Sequence, residues 1–235
     1  MGLATLVLAD ARFPGGGHVH SGGLEEAVSR SLVHDVPTLE GFLLGRLRTA
    51  GLVAAGFAAA ASVRAGRAAG PDVPVSWAEL DAELDARTPS EAQRDASRAQ
   101  GRGTLRAVRA AWPSPVLDEL VAVNARPHHP LLVGAVCGIA GEPAAEAARC
   151  VAYLAVSGPA SAAVRLLGLD PFAVNAVLVR LGSALDAVVA DAGVGRAPEL
   201  PGPSAPVLDL LAQAHVHDRS AGSGRHRDRL RLFVS

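Results

Sequence analysis

The chain has 235 residues, 49% of them apolar but only 3% aromatic, and a formal net charge of −1. That length suits one domain with a core of Ala, Leu and Val, and the near-neutral balance gives no broad electrostatic case for nucleic acid. All 22 basic residues are arginine, as a GC-rich coding bias would produce, so Schiff-base, general-base and P-loop lysines are excluded.

In chain order, Leu8 to Glu26 is the first distinctive stretch. Its Gly15-Gly16-Gly17-His18-Val19-His20-Ser21-Gly22-Gly23 loop runs into an apolar helix start with Glu25 and Glu26 in the first turn. A plain helical bundle requires no such loop. The helix it opens is predicted over Leu24–Val33, broken by Pro37 and Thr38. A second helix is predicted from Leu39 to about Ala69, because Leu43, Leu47, Ala50, Ala54 and Phe57 fall on one face. Gly45, Gly51 and Gly56 each weaken it by about 1 kcal/mol relative to Ala, and close approach of a neighbouring helix is the expected compensation.

Ser76-Trp77-Ala78-Glu79 has the pattern of a capping box and predicts a short helix to Arg87. Thr88-Pro89-Ser90-Glu91 predicts another, with proline at its first position, reaching about Trp112. Gly101 and Gly103 are candidate kinks in that helix, and its polar first half is either solvated or faces a polar partner. Short helices follow over Val116–Val123 and from Leu131 to about Ala140. A longer one runs from Glu142-Pro143 to about Leu167, with a bend or split expected at Gly158-Pro159. Asp170-Pro171 opens a helix whose apolar stripe is Val174, Leu178, Leu181, Leu185 and Val188; core burial is its first reading, a dimer interface its second. A Pro/Gly-rich linker from Gly193 to Pro206 precedes a last short helix, Val207 to about His215. Nothing alternates as a strand would. The fold class is all-α: a single multi-helix bundle of about eight to ten helices over residues 1–217, with an Arg-rich, flexible C-terminal tail over 218–235 that orders on a partner.

No signal-peptide pattern is apparent at the N-terminus. The longest apolar run, Thr49 to Val63, falls short of the roughly 20 residues of a membrane span, so a cytoplasmic, soluble protein is expected. Cys137 and Cys150 read as buried free thiols.

Candidate chemistry is sparse. His18/His20, His128/His129 and His215/His217 are pairs without the spacing of a zincin, and no tight metal site is expected. Ser21 lacks a nucleophile-elbow context. The glycine triplet could cradle phosphate but has no preceding strand, so a loop presenting polar side chains to a protein is preferred. Arg64, Arg67, Arg87, Arg94, Arg98, Arg102, Arg106 and Arg109 read mainly as solvated helix faces, with a charge-stabilising arginine as the alternative. A helical, metal-dependent enzyme using the His18–Glu25 loop is the alternative function.

Leu8-Ala9-Asp10-Ala11-Arg12-Phe13-Pro14-Gly15-Gly16 and His20-Ser21-Gly22-Gly23-Leu24-Glu25 resemble the opening motif of the urease accessory protein UreF family. Ala86-Arg87-Thr88 with Glu91, Arg94, Ser97, Gln100 and Gly101 is similar to that family's central pattern, and Arg231-Leu232-Phe233-Val234-Ser235 to its C-terminal motif, normally preceded by a His–acid pair that would be His217-Asp218 or lie at His226. The family's Pro-Leu-Gly-Gln element stands here as Leu167-Gly168-Leu169-Asp170, and the tail is extended around Ser220–Gly224. The resemblance implies a dimer-forming accessory protein, not an enzyme. It would bridge the scaffold UreD (UreH) and the GTPase UreG, coupling GTP hydrolysis on UreG to nickel insertion into apo-urease. No tightly bound cofactor is implied, since nickel and GTP are handled by the partners. The implied partner-binding residues are Asp10, Pro14, His20, Ser21, Gly23, Leu24, Glu25, Arg87, Glu91, Arg94, Gln100, Arg231, Leu232 and Phe233, with Glu25 as the family's functional glutamate.

Overall fold

The computed structural model describes residues 2–17, 20–66 and 75–193, and these form eleven α-helices, one π-helical turn and no strand. In chain order they are α1 (Leu3–Ala9), α2 (Leu24–Ser29), α3 (Val36–Arg46), the π turn (Leu47–Gly51), α4 (Leu52–Gly66), α5 (Trp77–Ala86), α6 (Glu91–Ala111), α7 (Pro115–Val123), α8 (His129–Ile139), α9 (Ala144–Leu167), α10 (Pro171–Arg180) and α11 (Gly182–Asp191). The all-α fold is as expected. The linker after Gly193, the short helix from Val207, the boundary at residue 217 and the tail lie outside the described residues, as do His18, Val19 and Arg67.

Local signals set most boundaries. Ser76 accepts the Glu79 amide at 3.1 Å while the Glu79 carboxylate accepts the Ser76 amide at 2.7 Å, which is the reciprocal cap that starts α5. Asp170 accepts the Phe172 and Ala173 amides and starts α10. Elsewhere the structure corrects the reading. Pro37 and Thr38 do not break a helix but begin one: Asp35 accepts the Thr38 amide at 2.9 Å and Thr38 Oγ1 accepts the Asp35 amide at 3.1 Å. Helix α2 stops at Ser29, and Ser31, at φ 60°, turns the chain. The cap of α6 is Ser90 rather than Thr88, so Pro89 stays outside the helix. Helix α9 runs unsplit through Pro159. The stripe from Val174 to Val188 is divided at Leu181, where α10 and α11 meet at 43°.

Helix α1 has no cap of its own. The Glu142 carboxylate supplies one from far along the chain, accepting the Ala4 amide at 2.7 Å, the Thr5 amide at 3.2 Å and the Thr5 hydroxyl. The single-face stripe expected through α3 and α4 is rephased by the π turn. Leu39 and Leu43 are buried before it, Leu47 at its first residue, and Val53 and Phe57 after it, while Ala50 and Ala54 line a cavity. Gly45 has open space where a Cβ would stand, so close approach does not account for it; Gly51 does lie against Ala155 of α9.

Two apolar clusters fill the bundle. One gathers Phe57, Trp77, Leu117, Leu120 and Leu132; the other gathers Leu24, Leu39, Leu43, Leu47, Val174 and Val177. Helices α4 and α9 contribute to both. Helix α8 lies against α4 through Gly134 and Gly138, where an added Cβ would stand 2.2 Å from the Ala58 carbonyl and 2.3 Å from the Ser62 carbonyl. The helical rods Val36–Gly66 and Ala144–Leu167 are each long and apolar enough to cross a membrane, beyond what the run Thr49–Val63 suggested; they are the bundle's central pair, about half buried by their neighbours.

Candidate functional site

The N-terminal loop, the first half of α6 and the second half of α9 converge on a cavity of about 520 Å³. Asp10, His20 and Gly22 line it from the loop, Gln93, Ser97 and Gln100 from α6, and Ser157, Pro159 and Arg165 from α9. The loop lies flat on α6. A Cβ on Gly17 would stand 3.1 Å from Gln100 Nε2, and one on Gly103 would stand 3.1 Å from the Gly15 carbonyl. On another side of α6, a Cβ on Gly101 would be 1.9 Å from the Pro127 carbonyl. The helix is unbroken at Gly101 and Gly103, which let two neighbouring backbones approach it.

The residues singled out in the opening motif divide by role. Leu24 is wholly buried and anchors the end of the loop in the core. Gly23, at φ 89°, is the left-handed N-cap of α2, and Gly22 is also left-handed at φ 62°. Ser21 is buried, and its hydroxyl faces the Glu25 amide at 3.4 Å, which leaves Glu25 half-buried in the first turn of α2. Asp10 ends α1 and pairs with Arg12 at 2.7 Å; that guanidinium's hydrogen bonds hold the Asp10 carboxyl down at about 2. Pro14 is exposed. The Arg46 side chain, which sequence reasoning did not select, donates to the Gly22 carbonyl at 2.7 Å and to the Ala155 carbonyl at 3.0 Å.

The central motif is split similarly. Arg94 Nη1 donates to the Thr88 and Pro89 carbonyls at 2.7 and 2.9 Å, clamping the α5–α6 turn. Arg87 reaches Glu83 and sits 5.9 Å over the buried Phe57 ring. Gln100 lines the cavity, and Glu91 is exposed at the start of α6. Arg231, Leu232 and Phe233 fall outside the described residues.

Behind α6 lies a polar network. Arg98, only 12% exposed, grips Asp81 with both terminal nitrogens at 3.1 and 3.0 Å, and reaches Asp85 at 2.6 Å and the Arg126 carbonyl at 3.0 Å. It is not part of a solvated face. His128 is buried, with Nε2 at 2.8 Å from Asp85 and Nδ1 at 3.0 Å from the Ser97 hydroxyl. Burial, seconded by Arg98, lowers the His128 pKa, so the ring is neutral, donating to Asp85 and accepting from Ser97. Burial raises the Asp85 carboxyl, but bonds from His128 and Arg98 outweigh it and leave the pKa below its ordinary value. Ser97, His128 and Asp85 stand in the order of a nucleophile, a base and an orienting carboxylate. The Ser97 oxygen also takes the His129 amide at 3.3 Å, tying down the start of α8, and the group works as a brace. His129 is pushed down to about 4 by burial and by His20. The thiols of Cys137 and Cys150 are buried and free, with Cys137 pushed up to about 12 by burial and Cys150 further still. Among the described residues no three or more His, Cys, Asp or Glu side chains are grouped to hold a metal ion.

A family model described as UreF matches residues 33–182. The chain is 49% identical over 217 residues to the urease accessory protein UreF of Mycolicibacterium vanbaalenii, covering 91% of this chain and 94% of that protein. It is 47% identical over 214 residues to that of Mycobacterium sp. (strain JLS), with 91% and 94% covered. The chain belongs to the UreF family. The UreF of Mycobacterium bovis, 42% identical over 231 residues and 98% of this chain, carries the similarity across the glycine loop, beyond the range of the family match. Membership assigns the chain to the urease accessory proteins, with a role in urease maturation.

Proposed function

We propose that this chain serves urease maturation as a cytoplasmic bridge between the scaffold UreD (UreH) and the GTPase UreG, presenting its glycine loop as a shaped docking surface. Nickel and GTP are handled by those partners, and hydrolysis on UreG is coupled through this chain to nickel insertion into apo-urease. The observation that supports the reading most is the convergence of the two UreF motifs: the loop carrying His20 to Glu25 lies on the helix carrying Gln93 to Gln100, around one cavity. Such a surface needs no reacting group. It needs a loop held in one conformation, which lowers the entropy lost on binding.

Glu25 is the contact residue of this proposal, half-buried at the rim of α2 and held by its helix. The Arg231–Phe233 motif meets UreD, and a second copy packs on the outer face of α10, where Phe172 and Val179 are 84% and 74% exposed. The stripe from Val174 to Val188, the earlier candidate for that contact, is used in the core instead. The test is co-purification of the full chain with UreD and UreG, together with the nickel content of urease matured in its presence. Glu25→Ala should leave folding intact and cut nickel loading at least tenfold. Full loading by that variant would refute the role of the loop.

A further inference from the structure

Helix α9 contains a proline in its interior, Pro159. Proline has no amide hydrogen, so the carbonyl four residues earlier, that of Ala155, loses its helical donor. That carbonyl is not left empty: Arg46 Nε donates to it at 3.0 Å. The same guanidinium, through Nη1, donates to the Gly22 carbonyl at 2.7 Å. Gly22 lies two residues before Leu24-Glu25 and occupies the left-handed region at φ 62°, where an added Cβ would stand 2.9 Å from the guanidinium carbon. Arg46 is the last residue of α3, immediately before the π turn, and Gly51 at the end of that turn lets Ala155 approach to van der Waals distance. A planar fork with several donors in fixed directions can reach two carbonyls on different elements; an ammonium reaches one well.

We propose that Arg46 is the positioning residue of the docking loop, and that Pro159 exists in α9 to free the Ala155 carbonyl as its anchor. The loop's glycines permit its left-handed turns at Gly22 and Gly23, and α9 with the joint between α3 and α4 holds it there. This rests on the reading of the loop as the docking element, but the geometry it asserts is testable apart from that reading.

The experiment is hydrogen–deuterium exchange on the full chain, read peptide by peptide, beside thermal melting and nickel loading of urease. Arg46→Ala should speed exchange of the amides of residues 20–27 by about tenfold, the loss of one charge-assisted hydrogen bond, with the cores of α4 and α9 little changed. Arg46→Lys should recover part of that protection. Pro159→Ala returns a backbone donor to Ala155, so it should speed exchange of the same amides by about two- to threefold while melting stays equal or rises. Unchanged exchange over 20–27 in Arg46→Ala or in Pro159→Ala, or a rise spread evenly over all helices, overturns the proposal. If the loop loosens in Arg46→Ala and urease is still fully loaded, Arg46 keeps its assignment and the docking role of the loop is what fails.

Discussion

At the scale of single residues, the strongest constraints are polar groups whose partners are distant in sequence. Arg98 holds two carboxylates and a carbonyl in a setting where it is mostly shielded from water. Removing one partner of such a group leaves the others uncompensated, so Arg98→Met should cost about 3 kcal/mol in urea denaturation, and Asp81→Asn less because a hydrogen-bond acceptor remains. His129 gives a pH dependence with a definite sign. Its folded pKa is about 4, and the unfolded value is the ordinary 6.5. Above 6.5 both states are neutral and the ring contributes nothing. As pH falls from 6.5 toward 4, the unfolded chain takes up a proton that the folded one refuses, and stability drops by about 3 kcal/mol. His128, lowered for the same reason, adds to the slope. Denaturation midpoints measured between pH 7 and 5 should fall steeply for the natural chain and less steeply for His129→Gln. The sequence announced His128 and His129 only as a pair without the spacing of a metal site. The buried setting of His128 depends on Ser97 and Asp85, 31 and 43 residues away, and no local pattern carries that.

At the scale of elements, glycine means different things at different sites. Gly134 of α8 has the Ala58 carbonyl of α4 where its Cβ would go, and backbone cannot step aside as a flexible side chain would. Gly134→Ala should therefore destabilise by about 2–3 kcal/mol. Gly45 of α3 meets nothing, and Gly45→Ala should stabilise by about 0.5–1 kcal/mol through helix propensity alone. Melting of the two variants side by side checks both. This contrast also marks how far the sequence could be read. Caps made by neighbours within three residues, at Ser76 and Asp170, were legible and correct. The expected close approach at Gly45 was wrong, because spacing reports a helix face but not what lies opposite it. Helix α1 was missed for a related reason: its cap comes from Glu142, and its seven residues are too few to display a period. Of the site, the glycine loop was legible from composition and family likeness; Arg46 was not, though an in-helix proline is a signal that some donor must serve the carbonyl four residues before it.

At the scale of the whole molecule, the two apolar clusters are not two domains. Helix α4 gives Phe57 and Ala58 to one and Ala55 and Ala59 to the other; α9 gives Cys150 and Val151 to the first and Ala148 and Ala152 to the second. Adjacent residues of the same rods face opposite ways, so neither cluster can lose its packing while those rods keep theirs. Unfolding should be one transition. Leu39→Ala tests this from the second cluster, where the side chain is wholly buried and its truncation should cost 2–5 kcal/mol on the order of other core leucines. Trp77 reports from the first cluster, and Cys137, buried with its thiol held protonated by a pKa near 12, reacts with a thiol reagent only when the chain opens. In Leu39→Ala the Trp77 fluorescence, the far-UV helical signal and the onset of Cys137 labelling should therefore shift together to lower urea. A Trp77 midpoint that stays in place while helical signal is lost would separate the clusters into two units. The shared outcome bears on the proposed function, because Leu24, at the end of the glycine loop, sits in the second cluster with Leu39: if that loop is the docking surface proposed above, a cavity there loosens it, and Leu39→Ala should lower nickel loading of urease even at urea-free conditions where most molecules remain folded.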